Sequence, residues 1–263
     1  MSTQAADAEE SRTGLWGPEM PRGLHTPVPA QTVVIWCFSL SASESQLAKL
    51  EDVLSPDERA RLSCYAFAHT RRAFTVARAA LRIIIAKCVG ASPSTLHFEY
   101  GVYGKPRLAP PFDHFHFNLS HSGDIAVVAA SVSGAIGIDI ERIRPVPETL
   151  DLARGFFSRG EYELLCKTPH HERDRIFLSL WTRKEACLKA IGAGLAIGTK
   201  QIDATASECV FVAAPPDSAT AGCTKKLLVR DFQNPPGYVA AVATDYMDCT
   251  LNLKAFAVGE AGN

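Results

Sequence analysis

One segment, Trp181 to Leu195 (WTRKEACLKAIGAGL), constrains this chain more than any other because it sets charged residues among apolar ones. From Asp174 onward, apolar side chains recur every three or four residues, which predicts an amphipathic helix that ends at Gly192. Lys184 and Glu185 fall inside the apolar stripe of that helix. Burying a charge without a partner is costly, so this helix needs counter-charges from other parts of the fold.

Glu185 and Lys189 lie one helical turn apart, so their side chains can contact the same object. A solvent-facing ion pair in its favourable order explains the same spacing. A second acidic segment elsewhere in the chain favours the functional interpretation.

That second segment is Gly137 to Glu141 (GIDIE), which the pattern predicts to be a strand. Strand side chains alternate, so Asp139 and Glu141 share one face while the isoleucines face the core. Two neighbouring carboxylates repel each other unless they are protonated or bridged by a cation. The solvent face of an edge strand is the alternative interpretation.

Composition excludes several classes of protein. Hydrophobic residues make up 47% of the 263-residue chain and charged residues 21%, and the formal charge is -1, which predicts a globular protein without a general affinity for nucleic acid. The eight cysteines contain no CxxC pair and no secretion signal precedes them, which predicts reduced thiols in a cytoplasm. No apolar run approaches the roughly 20 residues that a membrane span needs.

The remaining pattern predicts an α+β protein (helices packed on strands) in two pseudo-duplicated halves, residues 32–135 and 136–263, each with helices on a mainly antiparallel sheet. Residues 1–31 are rich in Ala, Glu, Ser, Gly and Pro, which predicts disorder. The predicted strands are 33–38, 96–100, 115–119, 124–132 with 136–140 as its hairpin partner, 208–213, 226–232, 237–244 and 251–258; the predicted helices are 45–54, 58–65, 69–89, 161–166 and 174–191.

Residues 168–172 are predicted to form a loop, and most of the arginines of 58–89 a solvated face, with a phosphate contact by one or two of them as the alternative. The turn Gly101 to Pro106 is predicted to expose Lys105 and backbone amides.

A cleft between the two halves would bring Asp139 and Glu141 to Glu185. Three carboxylates are the hard oxygen ligands that Mg²⁺ prefers, and Mg²⁺ usually accompanies a substrate phosphate. The donors expected around that phosphate are Lys184, Lys189, Lys105 and His121.

Four segments in this order resemble 4'-phosphopantetheinyl transferases of the monomeric, surfactin-synthetase-activating type. They are GKP at 104–106, FNLSHSG at 117–123, GIDIE at 137–141 and WTRKEACLK at 181–189, the last followed by GAGL. The resemblance extends from about Trp36 to Thr244. It implies the pseudo-dimeric fold of that family, which binds coenzyme A and Mg²⁺ between its halves. It also implies transfer of phosphopantetheine to a serine of an apo acyl-carrier or peptidyl-carrier protein.

The resemblance assigns the Mg²⁺ ligands to Asp139, Glu141 and Glu185, and the lysine that contacts the phosphates to Lys189. It assigns Glu161, in FFSRGEY, to the general base, with a metal-bound hydroxide as the alternative. Arg and Lys residues near the cleft are expected to steer an acidic carrier, with Phe156 and Phe157 as apolar contacts. The implied coenzyme-binding positions are Arg61, Gly104, Lys105, Pro106, Asn118, Leu119, Ser120, His121, Lys184 and Lys189. Tyr100 stands where some members of the family have an arginine.

Other functions stay open at this point. A carboxylate triad with lysines also suits a Mg²⁺-dependent phosphohydrolase, and a coenzyme- or carrier-binding module without catalysis is a third possibility. A serine hydrolase at Ser120 and His121 is disfavoured because the chain has no GxSxG elbow. Two halves in one chain predict a monomer.

Overall fold

The computed structural model describes residues 26–192, 194, 198–205, 210–213 and 224–258. Its first half contains strands β1 (Thr32–Ser39), β2 (Phe98–Tyr100), β3 (Pro106–Leu108), β4 (His116–Ser122) and β5 (Ile125–Ser131), with helices α1 (Glu44–Val53), α2 (Pro56–Ser63) and α3 (Ala68–Val89). Its second half contains β6 (Ile136–Arg142), α4 (Thr149–Phe156), α5 (Arg159–Lys167), α6 (His170–Ile191), β7 (Val210–Ala213), β8 (Thr224–Asp231), β9 (Tyr238–Thr244) and β10 (Thr250–Ala255). The predicted α+β class with mainly antiparallel sheets is confirmed.

The elements form four layers in the order helix, sheet, sheet, helix. The first sheet has the strand order β10-β1-β5-β4 and the second β6-β9-β8-β7. Alternate residues of β1 explain the arrangement, since Val34 and Trp36 pack against α3 while Val33 and Ile35 pack against β6. Because both faces of the first sheet are covered, β1 has a continuous apolar sequence instead of an alternating one. The second sheet carries α6 on its outer face.

Two predicted strand pairings are wrong. β6 was expected to form a hairpin with β5, but it pairs antiparallel with β9, with Ile138 opposite Val242. β5 pairs instead with β1 and β4. The apolar faces of β5 and β6 pack against each other across the two sheets, in one core cluster that includes Val127 and Ile138. The last strand, β10, was expected in an antiparallel second sheet, but it pairs parallel with β1 in the first.

Helix α4 and strand β3 were not predicted, and several segment boundaries also differ from the sequence prediction. The predicted loop at 168–172 is mostly helix, because α6 begins at His170, directly after Pro169. Residues 1–25 of the predicted disordered segment, 1–31, lie outside the described residues. Its last part is ordered, since the amide of Thr26 donates to the carbonyl of Lys87 (3.0 Å) and Val28 is buried in the core.

The arginines of α2 and α3 do not all form a solvated face. Arg78 and Arg82 are buried, and both donate to the carboxylate of Glu58 at 2.5 Å. Arg78 also donates to the hydroxyl of Tyr100, and Arg82 donates to the carbonyl of Leu96 (3.0 Å). A buried charge requires a partner, and α2 supplies it here. The network joins α2 and α3 to the β2–β3 hairpin.

Helix α6 lies unusually close to β6. A Cβ atom placed on Gly137 would be 2.1 Å from the carbonyl oxygen of Ala186 and 2.3 Å from the amide nitrogen of Ala190. Only glycine allows this approach, because both obstructing atoms belong to helix backbone and cannot rotate away. Gly192, with φ +70°, then ends α6 as predicted.

We expect Gly137→Ala to lower the free energy of unfolding by about 3 kcal/mol, since the added methyl group forces α6 away from β6. Chemical denaturation measures the change. Gly155→Ala is the matched control, because a Cβ atom there meets nothing within 4 Å in helix α4. It should raise stability by about 0.5–1 kcal/mol. Equal effects of the two substitutions would contradict the close packing.

Candidate active site

Strand β4 lies beside β6 and bonds to it through alternate polar side chains. Asn118 Oδ1 accepts from the amide of Ile138 (2.9 Å), Ser120 Oγ donates to Asp139 Oδ1 (2.7 Å) and Ser122 Oγ donates to Glu141 Oε2 (2.7 Å). Every second residue of a strand points the same way, so the sequence FNLSHS sends these three side chains to one side. The first sheet thereby orients the two carboxylates of the second.

Lys189 of α6 meets Asp139 at the centre of this row. Its Nζ is 2.6 Å from Asp139 Oδ1 and 3.0 Å from Ser120 Oγ. The residue Asp139 is 5% exposed, and its Oδ2 is the one buried side-chain oxygen or nitrogen among the described residues that has no hydrogen-bond partner. Burial raises the pKa of Asp139, and the charge of Lys189 opposes that shift. An unpartnered carboxylate oxygen beside an ammonium is suited to meeting an incoming cation or proton.

Glu185 lies one turn before Lys189 on α6 and is half-buried. Burial raises its pKa, the Lys189 charge opposes this, and the carboxylates of Asp139 and Glu141 add to the rise. Glu141 itself also accepts from Arg144, at 3.2 Å. The structure thus brings the three carboxylates into one electrostatic neighbourhood that includes Lys189.

The chemistry of this cluster suits Mg²⁺, because it offers oxygen ligands only and one of them is unpartnered. The carboxylates do not form a preassembled coordination sphere, however. Among the described residues, no three His, Cys, Asp or Glu side chains converge closely enough to hold a metal ion. Lys189 instead provides the positive charge next to Asp139. The assignment of Asp139, Glu141 and Glu185 as metal ligands therefore stays a prediction.

Lys105 was predicted to be exposed, but its ammonium group is bonded inside the fold. Its Nζ donates to the carbonyl of Ile136 (2.9 Å), where β6 begins, and to that of Ala190 (3.2 Å), where α6 ends. Burial lowers the pKa of Lys105 to about 8. Lys105 therefore connects the β2–β3 hairpin of the first half to both elements that carry the carboxylates.

The other predicted coenzyme-binding positions lie at several places around β4, β6 and α6. Gly104 lies in the exposed hairpin turn with φ +78°, and Pro106 begins β3 opposite Tyr100. Leu119 packs toward the first core, on the side of β4 away from β6. Desolvation and the charge of Lys189 lower the pKa of His121. The exposed Arg61 lies 5.6 Å from the ring centroid of Phe74, so its described contact is outside the carboxylate cluster.

Lys184 and Glu161 contact each other and not the carboxylate cluster. Both side chains are completely buried, and Lys184 Nζ lies 2.5 Å from Glu161 Oε2. The sequence prediction that Lys184 needs a counter-charge from another element is confirmed, and α5 supplies it. The phosphate contact of Lys184 and the base role of Glu161 stay predictions.

The sequence interpretation missed three residues that shape the site: Ser122, Arg144 and Gly137. The alternation of FNLSHS contains the signal for Ser122, because it continues the spacing of Asn118 and Ser120. Arg144 and Gly137 carry no such signal. Their importance depends on which strand and helix lie next to β6.

Comparison with known proteins gives the family. A model described as the 4'-phosphopantetheinyl transferase superfamily matches residues 135–243, and one described as 4'-phosphopantetheinyl transferase, N-terminal, matches residues 39–133. The chain is 40% identical over 179 residues to the 4'-phosphopantetheinyl transferase HetI of Nostoc sp. (strain PCC 7120), covering 67% of this chain and 76% of HetI. This chain belongs to the 4'-phosphopantetheinyl transferase superfamily and is a transferase.

Two further comparisons differ in strength. The 4'-phosphopantetheinyl transferase psf-1 of Bacillus pumilus is 32% identical over 202 residues, covering 77% of this chain and 83% of psf-1. The crystal structure of the Thermotoga maritima holo-[acyl-carrier-protein] synthase aligns at a TM-score of 0.29 and 18% identity, covering 42% of this chain and 61% of that one. That overlap is too small for a comparison of folds.

Within the described residues, no helix is both long and apolar enough to cross a membrane.

We expect the stability lost in Lys105→Met to depend on pH. The folded pKa of about 8 lies below the ordinary 10.5, so between these values the unfolded chain holds a proton that the native protein has released. The wild type should therefore gain stability over the variant as pH rises from 7 to 10, by up to about 3 kcal/mol. Urea denaturation at several pH values measures the difference.

Lys49→Met on the exposed surface of α1 is the control. Its difference from the wild type should stay constant over the same pH range. A constant difference for Lys105→Met as well would show that Lys105 is not buried as described.

Proposed function

We propose that this transferase moves phosphopantetheine from coenzyme A to a serine of an acyl-carrier or peptidyl-carrier protein and releases adenosine 3',5'-bisphosphate. The observation that carries the proposal is the contact of Lys189 with Asp139, beside the half-buried Glu185. Cleaving a diphosphate requires positive charge where negative charge develops on the leaving phosphate. The cluster provides one fixed ammonium and carboxylates that can recruit a second cation.

Mg²⁺ would be held by Asp139, Glu141 and Glu185, and when bound it would neutralise charge on the diphosphate of coenzyme A. The buried, unpartnered Oδ2 of Asp139 supports this part of the proposal. Ser120 and Ser122 would keep the first two carboxylates oriented through the hydrogen bonds that they already donate. Burial raises the pKa values of Asp139 and Glu185, and a bound cation would offset that cost of ionisation.

Lys189 would stabilise the leaving bisphosphate. An ammonium has three donor protons, and Lys189 uses two of them for Asp139 and Ser120. One proton remains for a phosphate oxygen. His121 lies in the same electrostatic neighbourhood and supplies a further donor when protonated.

The first experiment is intact-mass spectrometry of an apo carrier protein after incubation with coenzyme A, Mg²⁺ and this protein. We expect a mass gain of one phosphopantetheine. Glu185→Gln and Lys189→Met should each lower the rate about a hundredfold or more, because each removes a group that stabilises the transferring phosphate. Glu163→Gln, on the exposed side of α5, is the control and should leave the rate unchanged.

Two outcomes would contradict transfer. Hydrolysis of coenzyme A at the same rate with and without carrier would indicate the phosphohydrolase. Coenzyme A that is bound but neither hydrolysed nor consumed, with several different carriers, would indicate a binding module. Fatty-acid, polyketide and nonribosomal peptide carriers should each be tried, because the site chemistry is the same for all three.

We also propose that the protein acts as a monomer in the cytoplasm. The two sheets of one chain already supply both sides of the site, so a second chain is not needed to complete it. The described cysteines are all free, which agrees with a reducing compartment. Light scattering should give the mass of a single chain with and without coenzyme A, and an obligate dimer or trimer would contradict the proposal.

A further inference from the structure

Glu161 is bonded through both of its carboxylate oxygens. Oε1 accepts from the amide of Ala204 (2.8 Å), while Oε2 accepts from the amide of Ser158 (2.7 Å) and from Lys184 (2.5 Å). The side chain is 0% exposed. The Ser158 contact is half of a capping box at the start of α5, completed by the bond from the amide of Glu161 to Ser158 Oγ. Glu161 therefore receives three donors with no face open to solvent.

Lys184 is saturated in the same way. Its ammonium donates to Glu161, to the carbonyl of Thr199 (2.9 Å) and to the carbonyl of Ile202. An ammonium has three protons, so none is left for a phosphate. The ring of Phe157 lies 5.3 Å from Nζ, on the same cation. Every contact made by this lysine is structural.

Three parts of the second half meet at this pair. They are the start of α5, the segment 198–205 and the middle of α6. Thr199 strengthens the junction, since its Oγ1 donates to the carbonyl of Phe156 (2.7 Å). Lys184 directly precedes Glu185 and is five residues before Lys189, so fixing Lys184 fixes the part of α6 that carries both site residues.

We propose that Glu161 and Lys184 are a positioning pair: they set the place of α6, and through it Glu185 and Lys189, and Glu161 does not accept the proton of the carrier serine. This inference rests on the proposed transfer of phosphopantetheine. A general base must come within about 2.6–3.2 Å of the oxygen that carries the proton it removes, or reach that oxygen through one water. Glu161 would have to abandon Lys184 inside the protein to do so, and an unpaired buried ammonium is strongly unfavourable.

The test is a double-mutant cycle of Glu161→Gln, Lys184→Met and the two together, measured as kcat and KM for coenzyme A. Each single change leaves the other group without its partner and should lower kcat/KM about tenfold to a hundredfold by displacing α6. The double variant removes both charges, and the glutamine amide can donate to the carbonyls of Thr199 or Ile202. It should return kcat to within about tenfold of the wild type.

Recovery in the double variant separates the two roles. A general base cannot be restored by changing Lys184, so a double variant that is folded by circular dichroism and binds coenzyme A, yet stays down about a hundredfold or more in kcat, would overturn the proposal. The matched control is Arg159→Met with Glu163→Gln, an exposed pair on the same helix. It should leave kcat and KM unchanged, both as single variants and together.

A second measurement uses only the wild type, in case a single variant does not fold. Carbodiimide labelling of carboxylates, followed by peptide mass spectrometry, should modify Glu163 and leave Glu161 unmodified, alone or with coenzyme A and carrier present. Labelling of Glu161 once coenzyme A is added would show that it opens toward substrate and would overturn the proposal. If the wild type failed to modify any carrier, the proposed function would fail while the labelling would still report on the pair.

Discussion

The contact between α6 and β6 is the constraint on which the rest of the molecule depends. Asp139 lies on the strand and Lys189 on the helix, and they form a 2.6 Å ion pair where the two backbones come nearly into contact. Gly137 makes this possible, because any side chain there would strike the carbonyl of Ala186. The small residues Ala186 and Ala190 on the facing side of the helix complete the same close fit. The site therefore depends on a glycine at position 137, which lets α6 approach β6.

The first half of the chain holds this pair in register without extending its own sheet into the second. β4 reaches β6 through the side chains of Asn118, Ser120 and Ser122. Lys105 adds hydrogen bonds to the first residue of β6 and to Ala190 near the end of α6. Side-chain bonds of this kind fix the orientation of a carboxylate as well as the position of the backbone. A continuous backbone ladder would leave the carboxylates free to rotate.

Two buried ion networks fix the positions of elements on either side of the site. Glu58 with its two arginines anchors the β2–β3 hairpin that carries Lys105, and Glu161 with Lys184 anchors α6. Buried ion pairs add little net stability compared with apolar packing, because desolvation offsets their attraction. Their value here is geometric, since a saturated carboxylate tolerates only one arrangement of its donors. Each network holds an element that carries residues of the proposed site, Lys105 in the first case and Glu185 with Lys189 in the second.

The sequence by itself determined the type of most helices and strands, the charged residues within the apolar stripe of α6 and the shared face of Asp139 and Glu141. Local periodicity and spacing specify these features, because they depend on residues close together in the chain. It did not determine that β6 pairs with β9, that β10 joins β1, or that Arg78 and Arg82 are buried. Nor did it separate Lys184 from Glu185, although the two are neighbours. Adjacent residues on a helix point about 100° apart, so which one contacts Glu161 and which lies near the carboxylates of Asp139 and Glu141 was decided only when distant elements packed against α6.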